Sequence, residues 1–285
     1  MIVAICLEAE MNPKLRLAFL MIFFVGMAII ILSRFYVYFE QVYASKKKRP
    51  FFLNFFIFRN KLKDEQECVL ENQFTFYQRL TDKEKAVFKH RVARFIKEKE
   101  FIGRQDLIVT DEIKTLISAT AVMLTFGFKN YLLNIINTVI IYPESFYSKI
   151  NDANHKGEIN PRLGLIALSW KDFKRGFDIS NDNLNLGVHE FGHALHLNSF
   201  KNDDISAMIF SEGFSDLKTY LRENESIRQK LIKSHYFRAY AFTNEFEFAS
   251  VLIECFIETP KIFKSQFPKL YLLTKQMLNF NFAGY

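Results

Sequence analysis

His189-Glu190-Phe191-Gly192-His193 reads H-E-x-x-H. On an α-helix, residues four apart share a face, so both imidazoles can bind one Zn²⁺ ion. Glu190, beside the first histidine, can take a proton from water on that ion and later return it to a leaving amine. Zinc lowers the pKa of such water toward ~7 and polarises a carbonyl, which points to hydrolysis of a peptide bond. Leu184, Leu186, Val188, Phe191, Ala194, Leu195 and Leu197 surround the pair, as expected of a helix set into a core. His196 is a further imidazole one turn beyond His193.

Catalytic zinc usually has three protein ligands and one open position. Two downstream glutamates offer the third. Glu212, in Ser211-Glu212-Gly213-Phe214-Ser215-Asp216, resembles the glutamate of the downstream helix in thermolysin-like peptidases. Glu247 lies in the run from Tyr240 to Glu254, where Asn244 and Glu247 also have the N-cap to N3 spacing of a helix start. Tyr240 could donate a hydrogen bond to the oxyanion of a tetrahedral intermediate. Spacing alone leaves the choice between Glu212 and Glu247 open.

The elements that must position these groups are mostly helical. Thr81 and Glu84 have capping-box spacing, and Phe88, Val92, Phe95 and Ile96 then recur on one face, which predicts a helix over 82–99. A second helix is expected over 111–125, ended by Gly127, with others over 181–199, 203–223, 245–258 and 267–279. Thr138–Tyr142 and Leu163–Trp170 read as strands. The polar stretch between them, SKINDANHKGEIN, reads as a loop. Helices and a few strands in separate runs indicate an α+β fold.

Of the 285 residues, 49% are hydrophobic, enough for one substantial domain, or for one domain plus an accessory segment. Cys6, Cys68 and Cys255 match no zinc ribbon or disulfide framework and read as reduced thiols. The net charge of +7 equals the basic residues of 41–63, namely Lys46, Lys47, Lys48, Arg49, Arg59, Lys61 and Lys63, with no acid among them. A nucleic-acid binder would spread such charge over a folded face. Here it sits beside an apolar segment, which points to a membrane surface instead.

That segment, 17–33, has seventeen positions without a charge, and a second apolar run follows Arg34 as far as Phe39. With Arg34 snorkelling outward, 17–39 is long enough for a hydrocarbon core of ~30 Å. A cleaved signal peptide would place its small-residue site soon after the apolar core, whereas Arg34 and Glu40 intervene before Ala44. Lys14 and Arg16 precede the span and seven basic residues follow it, so the positive-inside rule puts the C-terminal part in the cytoplasm, at the inner (cell) membrane. Residues 51–58, largely aromatic between basic flanks, are expected in the interface. Met1 and Met11 are both candidate start sites, Lys14 and Arg16 then forming the lead-in to the span.

Over about residues 65–280 the chain resembles the Mlc titration factor A family of glucose-regulated zinc metallopeptidases. The resemblance runs through Leu80–Glu84, Arg94–Phe101, Val109–Glu112, Ile140–Pro143, Gly164–Trp170, His189–His193, Tyr240–Pro260 and Phe267–Tyr271. It implies zinc held by His189, His193 and Glu247 in preference to Glu212, with Glu190 and Tyr240 as catalytic groups. It implies a mainly helical, zincin-like domain with a small sheet, and peptidase activity that in some members is aminopeptidase-like. Binding of a transcriptional repressor also belongs to the family, so a membrane-tethered regulatory protein with little hydrolysis is the alternative. The chain departs from the family in its added span, in Gly192 where alanine is common, and in a shortened stretch from His193 to Tyr240. The expected order is a lead at 1–16, a transmembrane helix at 17–39, a basic juxtamembrane linker at 40–64 and a metallopeptidase domain at 65–285. By analogy with zincins, a substrate backbone would add to an edge strand near Leu163–Trp170.

Overall fold

The computed structural model describes residues 12–53, 59–148, 152–179, 181–201 and 203–285. The helices are α1 (Pro13–Lys47), α2 (Asp64–Gln73), α3 (Thr75–Gln78), α4 (Asp82–Glu98), α5 (Asp111–Leu124), α6 (Trp170–Asp178), α7 (Leu186–Lys201), α8 (Ile205–Glu223), α9 (Glu225–Lys233), α10 (Glu245–Glu258), α11 (Pro260–Gln266) and α12 (Pro268–Met277). The strands are β1 (Glu100–Gly103), β2 (Thr138–Tyr142), β3 (Phe146–Ser148), β4 (Ala153–His155), β5 (Gly157–Asn160) and β6 (Leu165–Ser169). The fold is therefore mainly helical α+β with a small sheet.

Local signals account for the helix ends. The capping box at the head of α4 forms, with the Glu84 carboxylate accepting from the Thr81 N–H at 2.9 Å. Thr110 caps α5, whose side chains are buried almost throughout because α2, α4 and α7 pack around it. The helix expected over 181–199 starts later, at Leu186. Asp182 turns the chain by accepting from the Leu184 N–H, and the Asn185 side chain caps α7 by accepting from the Val188 N–H.

The sheet runs in the order β1-β2-β6-β5. β1, β2 and β6 are parallel, and β5 is antiparallel to β6. Two expectations are corrected here. The polar stretch read as a loop contains β4 and β5, whose half-exposed residues lack the apolar alternation by which strands are recognised. The strand at 165–169 is interior, hydrogen-bonded on one side to β2 and on the other to β5. The sheet edge beside the histidine motif is β5, with Gly157 opposite Leu168 and Asn160 opposite Leu165. β3 and β4 form a separate two-stranded ribbon.

α1 is one continuous helix of 35 residues, long and apolar enough to cross a membrane, and its most apolar window is wholly unburied. It does not end at Phe39. Its last turns continue onto the domain, where Ala44 is buried and α8 packs against them. Glu40, also buried, takes an ion pair from Lys129 at 2.9 Å. Lys48, just past the helix, pairs with Glu212 at 2.6 Å and Asp216 at 3.6 Å. Phe51 then folds back with its ring 5.4 Å from that of Phe39 and 5.1 Å from that of Tyr43. Of the segment expected in the interface, residues 54–58 lie outside the described residues. Cys68 and Cys255 are free thiols; Cys6 lies outside the described residues.

One buried cation ties these layers together. Arg91 on α4 is fully buried and donates to the carbonyls of Thr125 at 3.2 Å, Phe126 at 3.0 Å and Leu53 at 3.2 Å. Its guanidinium also lies 4.4 Å from the centre of the Tyr131 ring. A planar fork of five N–H donors serves several carbonyls in one fixed geometry, whereas a thioether offers no donor at all. Arg91→Met is expected to lower unfolding stability by about 2–4 kcal/mol, because buried carbonyls lose charged donors. Chemical denaturation of the full chain measures this; a change within about 0.5 kcal/mol would show that those contacts contribute little.

Candidate metal centre

Two helices supply the candidate site. α7 carries His189, Glu190 and His193; α10 carries Glu247 and packs along α7. Gly192 eases the close approach, since a Cβ there would sit 3.2 Å from the Ser250 Cα and ask its neighbour to give slightly.

The donor atoms converge. His189 Nε2 lies 3.1 Å from His193 Nε2 and 3.2 Å from Glu247 Oε2, and His193 Nε2 lies 3.4 Å from that same oxygen. Ligands about 2.0–2.1 Å from a tetrahedral ion sit roughly 3.3 Å from one another, so the three atoms have the spacing of one shared cation. Glu247 Oε2 is buried, and its close contacts with the imidazoles lack the alignment of hydrogen bonds. A cation between the three would satisfy it. The residues therefore fit a divalent metal.

Of the capping pair suggested by spacing, Asn244 takes the N-cap and the Glu247 side chain at N3 is not used. Asn244 Oδ1 accepts from the N–H groups of Phe246 at 2.9 Å and Glu247 at 3.0 Å, which leaves the Glu247 carboxylate to face the histidines. Glu212, the other candidate, is turned toward Lys48 and Ser45 at the end of α1. His196 is not a donor to the cluster. It is buried among Phe200, Phe210, Phe214 and Phe246, and burial pushes its imidazole down to about 4.

Charge at the cluster follows from burial and from two carboxylates. Burial opposes a proton on His189, but Glu247 and Glu254 outweigh it and raise that imidazole to about 9. Burial raises the Glu247 carboxyl, and the close imidazoles of His189 and His193 more than reverse this, holding it below the usual carboxylate range. Carboxylates that hold a proton this firmly on His189 can hold a cation in its place.

Glu254 and Arg238 were not singled out by the sequence as site residues. Glu254 is buried; one oxygen accepts from the Asn185 N–H at 3.0 Å, and the other contacts His189 Nδ1 at 3.0 Å and forms an ion pair with Arg238. This fixes the imidazole so that Nε2 faces Glu247. The available signal was the seven-residue interval from Glu247 to Glu254, two turns along one face of α10. Tyr240 sits in a short 3₁₀ turn, Ala239–Phe242, with its ring 6.3 Å from that of His189 and half exposed. Burial, then a hydrogen bond to Glu247, pushes its phenol up to about 12. Beside Tyr240 and His189 a pocket of about 180 Å³ is bordered by Lys156, Arg175, Leu184 and Leu186.

Glu190 is buried, and burial raises its carboxyl against the opposing pull of His189 and His193. It rests on the edge strand: a Cβ at Gly157 would come within 2.4 Å of Glu190 Oε1. Gly157 is a positioning residue in this arrangement. Gly157→Ala is expected to displace the Glu190 carboxylate, lowering kcat at least tenfold while bound metal per chain stays unchanged. Steady-state kinetics beside metal analysis checks this, and an unaltered kcat would show that β5 does not hold the carboxylate.

Residues 44–278 match the family described as glucose-regulated metallo-peptidase M90. An uncharacterized protein of Synechocystis sp. is 22% identical over 242 residues, covering 77% of this chain and 85% of that protein. Proteins named Mlc titration factor A from Yersinia pestis and Yersinia pseudotuberculosis are 23% identical over 197 residues, covering 63% of this chain and 71% of theirs. The matched region contains both histidines, Glu190, Glu247 and the sheet edge, and the chain belongs to the M90 metallopeptidase family.

Proposed function

We propose that this chain is a zinc-dependent, zincin-like peptidase held at a membrane by α1, its ion bound by His189, His193 and Glu247. The observation that carries this reading is the cluster of three donor atoms 3.1–3.4 Å apart with the buried Glu190 carboxylate beside it. Nitrogen and carboxylate donors in a tetrahedral set suit zinc, which when bound supplies Lewis acidity toward water and a scissile carbonyl. Glu190 takes the proton from the attacking water and hands it to the leaving nitrogen. Its raised pKa suits both roles, because a carboxyl poised nearer neutrality can gain and lose a proton. Tyr240 donates to the developing oxyanion; its raised pKa keeps the phenol protonated. β5, the outermost strand of the sheet beside the motif, orients the substrate backbone by main-chain hydrogen bonds.

The docking of α1 supports an anchor that stays on the mature chain. Glu40 and Ala44 are both engaged by the domain, and cleavage after Ala44 would strip away these two contacts. The excess of basic residues after the span then orients the domain toward the cytoplasm. Exposed Phe51 and Phe52, packed on the end of α1, sit where aromatic side chains meet a bilayer surface. A second reading is favoured by the relatives named for Mlc titration: a tethered protein of this fold that sequesters a transcriptional regulator with little turnover.

Glu190→Gln is expected to keep about one metal per chain and to lower kcat by about 10²–10⁴, the range typical of a lost general base. The assay uses peptides with free and blocked N-termini, with and without chelator, so it also separates aminopeptidase from endopeptidase cleavage. Chelator-insensitive turnover, or turnover retained by Glu190→Gln, would sink the mechanism. Wild-type chain that binds metal and a regulator without cleaving any peptide supports the second reading. Intact-mass analysis of membrane-extracted protein is expected to show α1 present; a mature chain beginning near Ala44 would overturn the anchor.

A further inference from the structure

The pocket of about 180 Å³ beside the metal cluster shares His189 and Tyr240 with the centre itself. Its lining carries three cations, Lys156, Arg175 and Arg238, and two carboxylates, Asp172 and Glu254. The carboxylates are turned inward and already engaged. Asp172 pairs with Lys156 at 2.7 Å and accepts from the Ser169 hydroxyl at the head of α6, and only 17% of its side chain is exposed. Glu254, 1% exposed, is held by His189, Asn185 and Arg238. The cations reach solvent. Exposure is 62% for the Lys156 side chain and 33% for that of Arg238, and Arg175 is exposed in the last turn of α6. Among the described residues no carboxylate pairs with Arg175. The charge that this pocket presents to an incoming group is therefore positive.

We infer that this pocket receives a carboxylate of the substrate residue next to the scissile bond, with Arg175 and Arg238 supplying the charge and Leu184 and Leu186 the apolar flank. The inference rests on the peptidase reading for the place of the scissile bond. Arg238 and His189 Nδ1 meet on the same Glu254 oxygen, so the guanidinium lies within about two hydrogen-bond lengths of that imidazole. A peptide carbonyl held between the metal and Tyr240 then has its neighbouring side chain within reach of that cation. The volume is that of one side chain, below the range of sites for whole drug-sized molecules. A guanidinium can pair with a carboxylate through two parallel N–H groups, which a neutral amide does not match. A lysine or arginine of the substrate would instead meet like charge. Glutamate and aspartate side chains and the α-carboxylate of a chain end share the required chemistry.

Labelled peptides that differ at one position by Glu or Gln, each with a free or an amidated C-terminus, test this on the full chain in detergent. At least a tenfold higher kcat/KM is expected for one acid over its amide: Glu over Gln if a side chain fills the pocket, free over amidated if a chain end does. Arg175→Glu is expected to bring that ratio to one or below, whereas Arg175→Lys, which keeps the charge, should retain most of it. Raised salt should shrink the ratio in the wild-type chain. Fluorescence anisotropy of the same peptides on Glu190→Gln reads the preference without turnover. A chain that binds the acid better but cleaves nothing keeps the pocket assignment and loses only the hydrolase. Cleavage and binding that are both indifferent to the acid, within about twofold, would overturn the pocket assignment and leave the hydrolase standing. A preference that survives Arg175→Glu intact would overturn it as well.

Discussion

The site depends on one buried carboxylate that never needs to touch a substrate. Glu254 joins three parts of the chain: α10, on which it stands; the cap of α7, through the Asn185 N–H; and the segment before Tyr240, through Arg238. Each contact alone satisfies a polar group that burial would otherwise penalise. Together they fix His189, and with it the distance from α7 to α10. An uncompensated charge at this depth would be strongly destabilising, so Glu254, His189 and Arg238 stand or fall as a unit.

Around that unit, the architecture keeps a rigid wall and an open side. Helices α5, α7 and α10 share one apolar core with the sheet, so the histidines project from a surface that packing has immobilised. The open side is formed by shorter pieces: β5 with its glycine, the 3₁₀ turn with Tyr240, and the half-exposed residues between β6 and α7. Rigid ligands beside a more accessible rim suit a centre that must admit an extended chain.

Much of this was legible in the residues. The H-E-x-x-H spacing placed both imidazoles on one face because helix geometry alone determines it. The capping box at Thr81 and the short β-branched run at Thr138–Tyr142 predicted their elements for equally local reasons. What escaped detection is tertiary. Glu212 and Glu247 have the same chemistry, and only the packing of α1 on α8 shows that Glu212 faces Lys48 while Glu247 faces the histidines. β5 was hidden because a polar edge strand lacks the alternation imposed by a buried face. Gly157 acquires meaning only once Glu190 lies across it. The family resemblance supplied Glu247 and Tyr240 where spacing could not choose, but it said nothing of Glu254's grip on the fold.

The unbroken passage of α1 into the domain bears on reach. A flexible tether lets a catalytic head search a hemisphere whose radius grows with tether length. Here the helix ends in a clamp, Glu40 with Lys129 and Lys48 with Glu212, that leaves no slack between the last apolar turn and the folded body. Seated in a bilayer by that helix, the cleft would patrol a thin layer at fixed height and tilt. For the tethered peptidase proposed above, such a geometry would select among polypeptides by where they are as much as by sequence, favouring those that are themselves held close to the lipid.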